Sequence, residues 1–462
     1  MRLFHSVLFF CISFTSLFSA TIVLDTTENY EKGEQYSYSP GDTILLKAGR
    51  RPYLSLQNFN GAAGKPIVVI NQGGQVRIGR KHVYGLNIVN CNHIKISGTG
   101  VAGFKYGIVV DGATGNGVSF SELSSDCEIE HVEICSTGFA GIMAKKDYSG
   151  NPPQPLPVFD RLFIHDTYIH DVGGEGMYLG ETKSPGMEFR HVHVFNNTVC
   201  RTGLDLIQIA NMSTDVQVHH NILYRGGLKN INFQQNGFQI GDNCVGSVYN
   251  NIIMHCPANG CIVLGSGAIR IYNNYIQGFS LFGMFIDNRL FSIPDSSIDI
   301  YDNYLCDIAS DNSFFRVYNE INRVNFRGNR LDGNNGLVTW ASGAGAGNCT
   351  FADTLRTSFP RISFVDTARD DFRLPADSPY RGIGLIDTLM VNTKRPHSTR
   401  IAGSRAIRLP HSIVTLNGQT RIVGNRNLKS VISSGQLSRG VYLVVSHDGT
   451  VLSKVVNVSI PR

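Results

Sequence analysis

The sequence predicts an all-β chain, a right-handed parallel β-helix of three-strand coils followed by a small antiparallel β module, and three observations predict it. One phrase recurs through the middle of the chain: an aromatic or β-branched residue, a polar residue, Asn, any residue and an aliphatic, then a Gly-containing turn. It reads VFNNTVCRTG, VHHNILYRGG, VYNNIIMHC, IYNNYIQGF, IYDNYLCDI and FRGNRLDGN, with its Asn at Asn197, Asn221, Asn251, Asn274, Asn303 and Asn329. His131 and Asp166 are read as the earlier equivalents, giving intervals of 35, 31, 24, 30, 23, 29 and 26 residues. A short minimum with irregular excess fits a coil of three strands and three turns that takes insertions at its turns; Asp147–Pro157 is one. The third observation is composition: glycine is 49 of 462 residues, and no amphipathic stretch of about 10–15 residues separates the strands, which removes βαβ architectures.

The amino end, Met1–Ala20, has one Arg, an apolar run and small residues at its close, the layout of a secretory signal peptide. The expectation is a secreted or cell-surface protein. No later segment offers the ~18 uninterrupted apolar residues that a membrane helix needs. A net charge of +5, from 41 basic and 36 acidic residues, is too small and diffuse to argue for a nucleic-acid partner. Hydrophobic residues at 42% and charged residues at 17% exclude general disorder. Outside the leader stand nine cysteines, Cys91, Cys127, Cys135, Cys200, Cys244, Cys256, Cys261, Cys306 and Cys349. Odd in number, without a CxxC pair or a His at zinc spacing, they read as buried apolar residues rather than a disulfide framework or metal knot.

Residues 21–405 are assigned to the β-helix, whose repeated Asn side chains can bond turn backbone and their own copies one coil away. Residues 406–462 alternate apolar and polar around turns at Asn417-Gly418 and Asp448-Gly449, the pattern of a small antiparallel module.

Both ends carry a resemblance. PGDTILLKAG with NGAAGKPIVVINQGGQVRI, and later DDFRLPADSPYRGIG, resemble the capping and closing segments of secreted bacterial β-helix proteins of the pectin-lyase-like superfamily. That resemblance implies the fold and leaves activity open among lyases, hydrolases, epimerases and inert adhesins. Leu416-Asn417-Gly418, Gly440-Val441-Tyr442-Leu443 and Lys454-Val455-Val456 resemble the carboxy-terminal sorting domain of type IX secretion cargo, which implies secretion machinery as a partner. A proline-containing opening strand, usual in that domain, is missing.

Stacked coils put equivalent residues about 4.8 Å apart in columns. Four residues after each ladder position the sequence reads Cys135, His170, Arg201, Arg225, His255, Gly278, Asp307 and Gly333, so four consecutive coils carry His, Arg, Arg and His. Aligned on GEGMYLG, GLDLIQIA, QNGFQIG and NGCIVLG, a second column reads Glu175, Asp205, Asn236 and Asn259, and a third reads Tyr178, Gln208, Gln239 and Ile262.

These columns admit four readings. In the leading one, a secreted enzyme cleaves a uronate-containing polysaccharide by β-elimination: Arg201 and Arg225 grip the uronate carboxylate and His170 or His255 removes the neighbouring proton. In the second, a glycoside hydrolase uses Glu175 and Asp205, whose rung separation of about 5 Å is nearer the retaining geometry. The third is a Ca²⁺ held by Glu175, Asp205, Glu181 and Asp242. The fourth is a non-catalytic surface or adhesin β-helix whose column is an exposed salt-bridge ladder. Tyr178, Gln208, Gln239 and Tyr224 are the expected substrate contacts, with Phe233 as a further stacking surface, since Trp340 is the single tryptophan. His165-Asp166 and His219-His220-Asn221 read as turn-lining. His191 and His193 alternate on one face without a third metal ligand at matching spacing. A polysaccharide is the expected partner, and a monomer the expected state.

Overall fold

The computed structural model describes residues 21–80, 82–146, 155–181, 186–265, 267–287, 296–309, 311–318, 322–340 and 348–385, and the strands 411–415, 420–424, 440–446 and 451–457. The leader at 1–20, most of the insertion at 147–157, and the turns at Asn417-Gly418 and Asp448-Gly449 lie outside the described residues. Two compact units divide the chain, residues 1–387 and 388–462. No described helix is long and apolar enough to cross a membrane.

The first unit is a parallel β-solenoid. One face, sheet 1, has 12 strands, among them Met177–Leu179, Ile207–Ile209, Phe238–Ile240 and Cys261–Val263. The other 24 strands run in two series that the turn residues join. Sheet 2 includes Glu188–Phe195, Val216–His219 and Gly246–Tyr249, and sheet 3 includes Tyr168–Val172, Thr198–Thr202 and Ile222–Tyr224. Successive coils pair in parallel without slippage over most of their length, as in Met177–Ile207–Phe238–Cys261. Period-2 alternation aims one set of residues inward. Ile207, Val218, Leu223, Ile253 and their equivalents fill one continuous core.

At the turn between sheets 2 and 3 the asparagines form a buried ladder. The amide N–H and Nδ2 of Asn251 both donate to Oδ1 of Asn274, each at 3.0 Å, while Nδ2 also donates to the Val218 carbonyl at 2.9 Å. The same bonds link Asn197, Asn221, Asn251, Asn274, Asn303 and Asn329, all fully buried. Each rung thus satisfies turn N–H groups that the solenoid hides from water. The ladder begins at Thr167, whose N–H and Oγ1 donate to Asn197 Oδ1 at 3.0 and 2.7 Å. Asp166 therefore aligns with Asn196 and His131 stands one position ahead of Val132, so the two assigned equivalents are displaced by one residue. Their positive φ, 52° and 53°, is that of the residue preceding the ladder, a place filled by Asn196, His220, Asn250, Asn273, Asp302 and Gly328 in the later coils.

After its last strand the chain folds back over the outer side of sheet 3. Ile362, Phe372, Tyr380 and Ile383 bury against Cys200, Ile222, Ile252, Met254, Tyr275 and Cys306, a second apolar cluster outside the solenoid. Ile362 N–H donates to Tyr275 Oη at 3.0 Å. All nine cysteines are free thiols, eight of them buried.

In the second unit, four strands pair antiparallel in the order Thr420–Gly424, His411–Thr415, Gly440–Ser446 and Val451–Asn457.

Candidate functional site

The basic column does not form as read. Tyr168 pairs with Thr198 and Val172 with Thr202, so the residue beside Arg201 is Asp171, and His170 lies beside Cys200. The column is Asp171, Arg201, Arg225, His255, Gly278 and Asp307, and each non-glycine member has positive φ. The one-residue displacement at Asp166 is the cause.

Arg201 is engaged by two carboxylates. Its Nε and Nη2 donate to Asp171 at 2.8 and 2.9 Å, and Nη1 and Nη2 donate to Asp370 of the returning segment at 2.5 and 3.0 Å. That guanidinium is already paired with two carboxylates of the chain itself, the role the sequence reading gives to a sugar carboxylate. His170 has Nδ1 2.7 Å from Asp171 and Nε2 3.3 Å from Glu133. Burial opposes its charge, but the thiol of Cys135 and these carboxylates outweigh it and lift the imidazole to about 10. A group that holds its proton at neutral pH is no base. Arg225 and His255 are exposed, and His255 meets Tyr224 edge-on at 5.4 Å. Tyr224 itself packs against Phe372 at 5.3 Å, under the returning segment, so it does not line an open groove.

The other two columns form as aligned, on sheet 1. Backbone bonds run from Gly141 to Glu175, Gly176 to Asp205, Leu206 to Asn236 and Gly237 to Asn259, which puts these four acceptor residues on consecutive coils. Tyr178, Gln208, Gln239 and Ile262 pair directly, and the same outward column continues through Phe285 to Arg316.

Glu175 and Asp205 are 2% and 0% exposed. Asp205 Oδ1 accepts from the N–H and Nδ2 of Asn236 at 2.6 and 3.2 Å, and Asn236 Oδ1 accepts in turn from Nδ2 of Asn259 at 2.9 Å. Asp205 is the end of a second buried ladder, with Glu175 on the coil before it. One oxygen of each carboxyl, Glu175 Oε2 and Asp205 Oδ2, has no hydrogen-bond partner, and neither has Gln208 Oε1. Burial raises Asp205 to about 8, and the neighbouring Glu175 charge adds to this against the two Asn236 bonds. Burial also raises Glu175, opposed by Lys145 and Lys229.

A cavity of about 170 Å³ opens between Glu175, Tyr178, Gln208, Gln239 and the exposed Phe233. It adjoins a second of about 480 Å³ bordered by Asn236, Asn259, Phe285, Arg316 and Tyr318. The two share Phe233, Gln239 and Leu264 and make one groove along sheet 1. Lys145 stands at its mouth, Nζ donating to Tyr178 Oη at 3.1 Å and lying 4.3 Å from the ring centroid. Further along, the Arg316 guanidinium is 4.4 Å from the Tyr318 ring and 5.2 Å from Phe285. Lys145, Phe285, Arg316 and Tyr318 were not singled out in the sequence; extending the Tyr178 column through GMFI would have found Phe285.

The calcium set is not assembled. Glu175 and Asp205 precede their sheet 1 strands, whereas Glu181 and Asp242 follow theirs. Six residues of chain separate Glu175 from Glu181, roughly 20 Å along the strand, against the ~5 Å that two ligand oxygens of one calcium can span.

A family model described as right handed beta helix region matches residues 84–274. No curated protein matches the chain. Among solved structures, pectate lyase Pel9A is similar at 13% identity over 81% of this chain and 94% of that one, with a TM-score of 0.46. The mannuronan C-5 epimerase AlgE4 A-module of Azotobacter vinelandii is similar at 15% identity over 73% and 86%, with a TM-score of 0.36. A mannuronic acid specific polysaccharide family 6 lyase from human gut microbiota is similar at 12% over 71% and 87%, with a TM-score of 0.34. These likenesses are of fold; the chain's own strand register and the matched region make it a right-handed parallel β-helix.

Proposed function

We propose that the chain is an exported enzyme that cleaves an acidic polysaccharide in the groove along sheet 1, with Glu175 as the proton donor and Asp205 as its partner. One observation carries the reading: two buried carboxyls stand on adjacent coils, each with a partnerless oxygen, and Glu175 of the pair lines a cavity with Tyr178, Gln208, Gln239 and Phe233 while Asp205 lies buried behind it. Burial raises both carboxyls above their ordinary range, and Glu175, the one that reaches the cavity, is placed to hand a proton to a glycosidic oxygen. Adjacent coils lie about 4.8 Å apart, close enough for the Glu175 charge to help keep Asp205 neutral. Lys145 and Arg316 on the groove supply the positive charge an acidic glycan would meet. The leader and the module resembling a sorting domain support export, with secretion machinery as the partner of the latter.

A second reading, β-elimination, keeps one specific support. The Lys145–Tyr178 contact puts a cation beside a phenol on the groove floor, next to Glu175. Both readings use the groove and neither uses Arg201 or His170.

The test is incubation with a panel of uronate polymers, following new reducing ends and the ultraviolet absorbance of an unsaturated product. Reducing ends without absorbance, lost at least 100-fold in Glu175→Gln, are expected. Absorbance that rises with the reducing ends moves the assignment to elimination. Equal turnover by Glu175→Gln, or no product from any uronate polymer, overturns the proposal.

A further inference from the structure

We propose that Glu133, Cys135 and His170 form a zinc site on the outer side of sheet 3, separate from the groove on sheet 1. The strands Val132–Cys135 and Tyr168–Val172 are parallel neighbours, and Cys135 pairs with His170. Alternation puts Glu133 and Cys135 on one side of their strand, so two side chains of one coil face one side chain of the next. One ligand atom from each of the three lies within 4.8 Å of the other two, and His170 Nε2 is 3.3 Å from Glu133 Oε1. Donors bound to a tetrahedral zinc at about 2.0–2.3 Å stand roughly 3.3–3.8 Å from one another. The Glu–His edge is already at that separation, and a rotamer adjustment at Cys135 completes the face.

The imidazole is oriented for a metal. Its Nδ1 is held 2.7 Å from Asp171 Oδ2, which turns Nε2 toward Glu133 and Cys135. A carboxylate on the far nitrogen is how proteins fix the tautomer and direction of a zinc-binding histidine. Thiolate, imidazole and carboxylate together are a zinc donor set, with a fourth position left to solvent; calcium would take oxygens alone. Charge agrees. Arg201 pairs with Asp171 and Asp370, and the cation that faces Glu133 in the metal-free chain is His170 itself, whose proton zinc would replace.

A second cluster shows what a satisfied site looks like. Glu128, Glu130 and His165 also present atoms within 4.8 Å of one another. There Lys95 Nζ lies 2.6 Å from Glu128 and 2.9 Å from Glu130, so an ammonium already fills the cation's place. At Glu133 the corresponding contact is with His170, whose Nε2 lies 3.3 Å from Oε1. Zinc binding at Glu133, Cys135 and His170 displaces the thiol and imidazole protons to solvent and changes no oxidation state.

The test uses the full chain stripped with chelator and titrated with zinc or cobalt alone. One equivalent of zinc is expected, and cobalt should give a thiolate charge-transfer band. That band should vanish in Cys135→Ala and His170→Gln, and zinc should bind about 10–100-fold more weakly to Asp171→Asn. A stripped wild type that takes up no zinc, or a cobalt band that persists in Cys135→Ala, overturns the site. Where Cys135→Ala does not fold, alkylation of wild-type Cys135 decides: zinc should slow it at least tenfold, and no protection overturns the proposal.

Discussion

Asp205 accepts two hydrogen bonds from Asn236 on a single oxygen, Oδ1, at 2.6 and 3.2 Å, and leaves Oδ2 without a partner in a fully buried position. The residue sits where the next two coils carry Asn, so a neutral amide would complete the same ladder. A carboxyl there is a departure from the cheaper solution, and such departures gather at functional sites.

Linkage gives this a measurable form. Burial lifts the Asp205 pKa from 3.8 to about 8 in the folded chain, so between those values the native state holds a proton that the unfolded state has released. The unfolded chain binds fewer protons, hence stability falls as pH rises through that window and levels off above about pH 8. Asp205→Asn removes this component. Its melting temperature is expected to converge with wild type near pH 4 and to exceed it increasingly up to pH 8. Parallel melting curves across that range would show that Asp205 is not buried as an acid. In the same variant, glycan cleavage should fall at least tenfold, since the partner of Glu175 is gone.

The asparagine ladder predicts a graded stability series. Asn274→Ala leaves the N–H and Nδ2 of Asn251 without their acceptor and the Val248 carbonyl without a donor. At ~1–3 kcal/mol for each group left buried and unsatisfied, with partial relaxation, the loss should be about 3 kcal/mol by denaturant unfolding. Thr167→Val removes only a side-chain donor at the ladder's end, while the Thr167 N–H keeps Asn197 Oδ1 occupied. That change should cost less than about 1 kcal/mol.

The coil repeat was legible because those asparagines recur with fixed neighbours, and the sheet 1 columns because an acid or amide stands just ahead of each short apolar strand. The start of the ladder was hidden because Thr167 replaces Asn while Asp166, a polar residue in a left-handed turn, imitates it. That single slip moved His170 into the Arg201 column. No local signal could have exposed the second error: the carboxylate that occupies Arg201 is Asp370, 169 residues away on a segment whose fold-back leaves no periodic trace. Distance along the chain hid the pairing.

Arg201 should therefore behave as a structural residue. Its partners are partly solvated, the Asp171 side chain at 49% and Asp370 at 32%, which weakens each contact. Arg201→Leu is expected to lower stability by about 1–2 kcal/mol, through the lost tie to the returning segment. Cleavage of any glycan substrate should stay within twofold of wild type at temperatures where both are folded. A hundredfold loss of turnover with unchanged stability would return Arg201 to the catalytic machinery.

Glycine follows Glu175, Asn236 and Asn259 of the second column, and how closely the coils stack fixes it there. A Cβ built on Gly260 would lie 2.4 Å from Ile276 Cγ2 and 2.5 Å from the Gly283 carbonyl oxygen, both in the next coil. Neither can easily retreat, since Ile276 is fully buried in the core and the Gly283 carbonyl accepts the Cys261 N–H at 3.0 Å. Gly260→Ala should therefore cost more than about 2 kcal/mol and loosen the groove wall at Asn259. Gly382, on the returning segment, has open space at its Cβ, so Gly382→Ala should fall within about 0.5 kcal/mol of wild type. Denaturant midpoints of the two variants separate the cases: equal midpoints would mean that the coils can spread locally, and that the geometry holding Glu175 beside Asp205 is softer than the register implies.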